Sequence, residues 1–141
     1  MAGMRIGFAI GSETMIKYLN DVKYSFNSYT MNSITLAAGI EAVKDEEYFK
    51  ASCEKIIRTR EKLKADLKAL GFEFGDSMTN FIFAKHASVS AEHIFTELKK
   101  RDIYVRYWNK PRISEHLRIT VGTDEECDIL VRNLKEIIDQ A

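Results

Sequence analysis

Two short stretches hold the residues best suited to chemistry. In "HLRITVGT", residues 116–123, Leu117, Ile119 and Val121 alternate with His116, Arg118 and Thr120. A strand there would put the two sets on opposite faces. An arginine in mid-strand either reaches solvent or meets an anion, because an unpaired buried guanidinium is very costly. Its planar fork also matches a carboxylate or phosphate through two parallel hydrogen bonds. Spacing alone favours the solvated arginine and leaves the anion grip open. In the second stretch, "YVRYWNKPR" at 104–112, Arg106, Lys110 and Arg112 stand among Tyr104, Tyr107 and Trp108. Basic residues interleaved with aromatics can stack on nucleic-acid bases. The chain as a whole, however, balances 21 Lys and Arg against 21 Asp and Glu. It therefore has no general field to attract nucleic acid or an anionic membrane. A loop that carries arginines to a small anionic ligand suits this arrangement better.

The elements that must position these residues follow from periodicity and caps. Ile6, Phe8 and Ile10 alternate with small residues and predict a short strand ending at Gly11. Ser12 reads as the N-cap of a helix through Met15, Ile16 and Leu19, which a polar break at residues 26–28 ends. A second helix is expected from about residue 30 to residue 43, with Ile34, Ala37, Ala38 and Ile40 near one stripe. Asp45 caps a long third helix over about residues 46–70, closed by Gly71. In it Phe49, Cys53, Ile56, Leu63, Leu67 and Leu70 follow alternating steps of four and three, and Arg60 fills the one missing place. A helix of that length spans roughly 35–40 Å; the charged interruption favours a helix lying across a globular core over a coiled-coil seam.

The remainder alternates. Residues 72–74 and 80–84 read as strands around an Asp76-Ser77 turn, with Asn80 taken as structural. Ser90 opens a helix through Ile94, Phe95 and Leu98, and residues 103–106 and 117–121 read as strands. Thr123 and Glu126 make a capping box for a last helix, with Ile129, Leu130, Leu134 and Ile137 facing inward. Strand, strand, helix, strand, strand, helix predicts an α/β sandwich with helices over one face of the sheet.

At 141 residues the chain fits one ordinary domain, able to bury roughly two thirds of its unfolded surface. An apolar share of 45% with 30% charged residues belongs to a folded protein. Cys53 and Cys127 lie far apart, and His86, His93 and His116 form no metal-ligand pattern, so reduced thiols and no metal are expected. No secretory leader is legible, and the longest uncharged stretch, residues 24–40, is broken by Ser, Asn and Thr. A soluble, cytoplasmic protein is expected. The opening "MAGMRIGFAIG" is unusual, because domains tend to begin with loosely held polar residues. It reads as an interior segment of something larger.

"AGMRIGFAI", "MTNFIF", "VRYWNKPR" and "HLRITVGT" occur here in the order found in the histidinol-phosphate aminotransferases, and the resemblance runs along essentially the whole chain. These are fold type I enzymes dependent on pyridoxal 5'-phosphate. "AGMR" and "LRITVGT" are shared with related aminotransferases, whereas "VRYWNKPR" followed by "LRITVGT" points to the histidinol-phosphate branch. The resemblance implies the C-terminal part of such an enzyme. Residues 1–45 would be the remnant of the large cofactor-binding domain, and residues 46–141 the small C-terminal domain with its long linking helix. The Schiff-base lysine of the family would fall upstream of Met1, so no residue of this chain is expected to bind the cofactor covalently.

Three residues carry over by motif. Arg5 matches the arginine that binds the cofactor phosphate, Arg118 the one that grips the anionic group of the substrate, and Arg106 its partner. The implied substrates are histidinol phosphate and the glutamate/2-oxoglutarate pair, in a homodimeric enzyme. The family's "PFN" segment reads "SFN" here, with Ser25 in place of proline. Other readings stay open at this point: an aromatic aminotransferase, a phosphothreonine decarboxylase, or a free-standing anion-binding or assembly module.

Overall fold

Short polar side chains start every α-helix among the residues that the computed structural model describes, 2–141. After a 3-10 turn at Ala2–Met4, α1 runs over Glu13–Phe26, with the Ser12 hydroxyl accepting the Met15 N–H at 3.5 Å. Helix α2 covers Ser33–Lys44, a few residues later than the pattern suggests, because the Asn32 side chain captures the Thr35 N–H at 2.8 Å and so marks the cap. The Asp45 carboxylate accepts the Tyr48 N–H at 3.1 Å and opens α3, Glu46–Ala69. Gly71, at φ 86°, ends it in the left-handed region that favours glycine.

Beyond α3 come β1 (Phe72–Phe74), β2 (Phe81–His86), α4 (Ala91–Lys100), β3 (Arg106–Tyr107), β4 (Leu117–Thr120) and α5 (Asp124–Asp139). The strands form one antiparallel sheet in the order β1-β2-β4-β3. The chain divides into two compact units, residues up to Ala51 and Ser52–Ala141, with the division inside α3.

In the second unit the predicted sandwich is present. Ile82 and Ala84 of β2 and Leu117 and Ile119 of β4 form the inner face of the sheet. They share one core with Leu63 and Leu67 of α3, Ile94 and Leu98 of α4, and Leu130, Leu134 and Ile137 of α5. Both halves of the expected capping box are made: Thr123 Oγ1 accepts the Glu126 N–H at 3.2 Å, and Glu126 Oε2 accepts the Thr123 N–H at 2.8 Å.

Four expectations change on contact with the structure. Residues 6–12 form no strand, since a strand needs a ladder partner and none pairs with them among the described residues. Ile129 is 43% exposed rather than inward. Cys127, Leu130, Leu134 and Ile137 hold the inner stripe of α5 instead, and at 3.6 residues per turn position 129 is rotated about 100° away from 130. The repeat in α3 is a seam only in its C-terminal half: Leu63 and Leu67 are fully buried, while Phe49 and Ile56 face solvent. Finally, β3 begins at Arg106 rather than Ile103, because the turn after α4 persists. Asp102 sits at φ 58° and the Ile103 N–H still bonds to Leu98 O at 3.0 Å.

Arg60, the interruption in that repeat, has a structural purpose. It is 5% exposed, donates from Nη1 to Thr79 O at 3.1 Å and from Nε to Glu61 at 2.9 Å. A buried guanidinium so satisfied ties α3 to the turn that leads into β2.

In the first unit the apolar side chains mostly face outward. Helix α1 buries none of its residues, and Phe8 and Ile10 are 88% and 90% exposed. Ile6 is the partial exception, resting against α2 where Gly39 leaves room; a Cβ at that position would stand 2.9 Å from Ile6 Cδ1. Exposed apolar surface on this scale promotes association. Burying Phe8 and Ile10 alone would contribute about 3–6 kcal/mol, at about 1.5–3 each before entropy costs. The 141-residue chain is therefore expected to self-associate in light scattering, and a version spanning residues 45–141 to stay monomeric. A monomeric full chain would show that this surface is satisfied in some other way.

Candidate functional site

The alternation of β4 places Leu117 and Ile119 in the core and turns Arg118 to the opposite, open face of the sheet. In register, Arg118 stands opposite Phe83 of β2 on one side and Arg106 of β3 on the other. The structure thus brings Arg106 and Arg118 together as direct cross-strand neighbours. The short β3 is tied to α4 by Tyr107, whose ring lies 5.6 Å from that of Phe95. The ladder continues past β4, where the Val121 N–H donates to Asn80 O at 2.9 Å.

Two like charges opposed across a ladder repel each other, and among the described residues neither arginine has a salt-bridge partner. Arg118 Nε is buried and makes no hydrogen bond. Leaving such a donor unpaired costs about 1–3 kcal/mol, more for a charged group. A pair of guanidinium forks with no acid to neutralise them can take up an oxyanion by charge-assisted hydrogen bonds.

Aromatic rings flank this pair, and those near Arg118 were not legible from spacing. Arg118 Cζ lies 5.4 Å from the ring centroids of both Phe81 and Trp108, and Arg106 Cζ lies 5.7 Å from Trp108. His116, two residues before Arg118 on the same face, stacks on Phe83 at 4.6 Å and has its Nδ1 buried without a partner. The signal for His116 was available in its i, i+2 relation to Arg118. Trp108 was likewise legible beside Arg106, whereas Phe81 and the approach of Trp108 to Arg118 depended on the pairing of strands. Lys110 and Arg112 are exposed on the loop between β3 and β4, with Arg112 held at φ 73°.

Arg5 belongs to the first unit. It follows the opening 3-10 turn, is exposed, and adopts φ 56°, a left-handed backbone uncommon for a residue with a side chain. Among the described residues its guanidinium enters no ion pair. No helix among the described residues is long and apolar enough to cross a membrane.

Comparison with known proteins supplies the context. The pattern of the aminotransferase class I and II family matches residues 1–134. The chain is 51% identical over 138 residues to the histidinol-phosphate aminotransferase of Brachyspira hyodysenteriae, which covers 98% of this chain and 39% of that protein. It is 49% identical to the enzyme of the same name from Clostridium botulinum, over 99% of this chain and 40% of that protein. The chain thus spans about two fifths of the length of these curated relatives. Among solved structures, the histidinol-phosphate aminotransferase of Sinorhizobium meliloti in complex with pyridoxal-5'-phosphate superposes with a TM-score of 0.84 at 26% identity. That match covers 99% of this chain and 38% of the other. The extent of the family match and the identity to these relatives lead to one conclusion: the chain belongs to the aminotransferase class I and II family.

Proposed function

We propose that this chain is the C-terminal part of a pyridoxal-phosphate-dependent aminotransferase that acts on histidinol phosphate and 2-oxoglutarate, yielding imidazole acetol phosphate and glutamate. Residues 1–45 then belong to its large domain and residues 46–141 to its small domain. The observation that carries the reading is the cross-strand pair Arg106 and Arg118 on the open sheet face, with no acidic partner among the described residues. The names of the relatives at about half identity support the choice of substrate.

In this reading Arg118 grips the anionic group of either substrate and Arg106 adds a second fork. Held at its anion, the substrate keeps its amine or carbonyl carbon in a fixed direction, which lowers the entropy lost on reaching the reacting geometry. Arg5, exposed and without an ion pair among the described residues, suits the phosphate of the cofactor in charge and accessibility. When bound, pyridoxal phosphate supplies the electron sink that amino transfer requires. The complete enzyme would be a cytoplasmic homodimer, as the resemblance implies.

Covalent attachment of the cofactor needs a lysine in the right place. Lys17 and Lys23 stand on the exposed α1 and do not take that place in the motif order. The 141-residue chain alone is therefore expected to give no turnover. Fused behind the preceding segment of the Brachyspira hyodysenteriae relative, it is expected to transaminate histidinol phosphate. Turnover by the 141 residues alone, or a fusion that prefers an aromatic amino acid to histidinol phosphate, would overturn the proposal.

A further inference from the structure

The open face poses a physical problem that an anion alone does not solve. Arg106 and Arg118 oppose each other in register, and their repulsion acts whether or not a ligand is present. Long, flexible arginine side chains would relieve it by turning apart into solvent, and a substrate would then have to bring them back. What stands beside both guanidinia is the indole of Trp108, 5.4 Å from Arg118 Cζ and 5.7 Å from Arg106 Cζ. Phe81 approaches Arg118 alone.

We propose that Trp108 is a positioning residue that holds Arg106 and Arg118 in their anion-receiving geometry before the anion arrives. The inference rests on the reading of these arginines as the substrate-anion grip. A tryptophan face is the strongest aromatic partner for a cation, and the attraction grows when the cation is shielded from water. Arg118 meets that condition, since its Nε is buried without a hydrogen bond. The indole therefore offers each charge a favourable contact without neutralising either one. A carboxylate in the same place would neutralise them and compete with the substrate.

The backbone that carries the ring is held by its own hydrogen bonds. Trp108 directly follows β3, at the start of a loop that closes on itself. Trp108 O accepts the Lys110 N–H at 2.9 Å, Lys110 O accepts the Ser114 N–H at 3.0 Å, and Ile113 O accepts the His116 N–H at 3.1 Å. Because the loop starts at β3 and ends at β4, its backbone is tethered at both ends by the strands that carry the arginines.

Nitrogen-detected NMR of the arginine Nε–H groups in the 141-residue chain tests this. Without any anion, the Arg118 Nε–H signal should be displaced by the nearby rings and slow to exchange with water. Trp108→Leu should change that displacement and speed the exchange, leaving the share due to Phe81, while Trp108→Phe should keep the exchange slow. On titration with inorganic phosphate, Trp108→Leu should weaken binding about tenfold and Trp108→Phe by no more than about threefold. Unchanged inner-face and α5 amide signals would report that each variant is folded. If the Nε–H signal in Trp108→Leu stays where it is in the wild type, Trp108 positions nothing. The positioning role fails equally if phosphate binds Trp108→Leu undiminished while Arg118→Ala loses it, and the anion grip then survives. Phosphate that moves neither arginine in the wild type would remove the anion grip, and the anion-free signal would still decide on Trp108.

Discussion

In a complete enzyme carrying this segment, Arg118→Ala is expected to lower kcat/KM for histidinol phosphate and for glutamate alike, by about 30- to 900-fold. The figure comes from losing a two-point, charge-assisted contact of about 2–4 kcal/mol, given about 1.5–3 for a single hydrogen bond to a charged group. On the proposed reading both substrates should suffer, because both would offer an anion to the same fork. Arg106→Ala should act in the same direction and less severely. Arg106 is exposed, and water replaces much of what it gives, whereas Arg118 is half-buried with its Nε shielded. Arg118→Lys should not restore the loss, since an ammonium cannot reproduce the planar fork. Steady-state kinetics with each substrate varied in turn measures this. Unchanged kinetics in Arg118→Ala beside an inactive Arg106→Ala would reverse the assigned roles.

The largest effect on stability should come from the centre of the second unit. Leu134 on α5 is completely buried in the cluster that joins the inner sheet face to α3, α4 and α5. Leu134→Ala should destabilise that unit by about 2–5 kcal/mol, the sum of lost transfer energy and the cavity left behind. Ile129→Ala, on the outward side of the same helix, should cost less than about 1 kcal/mol, because nearly half of its surface already meets water. Urea unfolding followed by the fluorescence of Trp108, the only tryptophan in the chain, compares the two directly. Equal costs would mean that α5 turns a different face to the sheet.

What the sequence determined by itself was mostly local. Ser12, Asp45, Ser90 and Thr123 were legible as helix starts because a capping side chain bonds to backbone only a few residues away. Gly71 was legible as a stop for a related reason, since its left-handed backbone lies at the end of the helix it closes. The opposite faces of β4 were equally plain, because alternation is a property of one strand. So was the motif order that brings Arg5, Arg106 and Arg118 into view. Whatever depends on a partner distant in the chain was decided by the tertiary structure. Residues 6–10 alternate like a strand, yet alternation supplies no ladder neighbour. Ile129 is as apolar as Leu130, yet only the sheet beneath α5 selects which of them is covered. Arg60 looked like a flaw in a repeat until the carbonyl of Thr79 was found against it. Arg118 carries the same lesson furthest. The strand alone favoured a solvated arginine, and only the pairing of β3, β4 and β2 sets it opposite a second guanidinium and beside two aromatic rings. Charge repulsion, ring contact and a shielded donor arise between strands, and no single strand contains them.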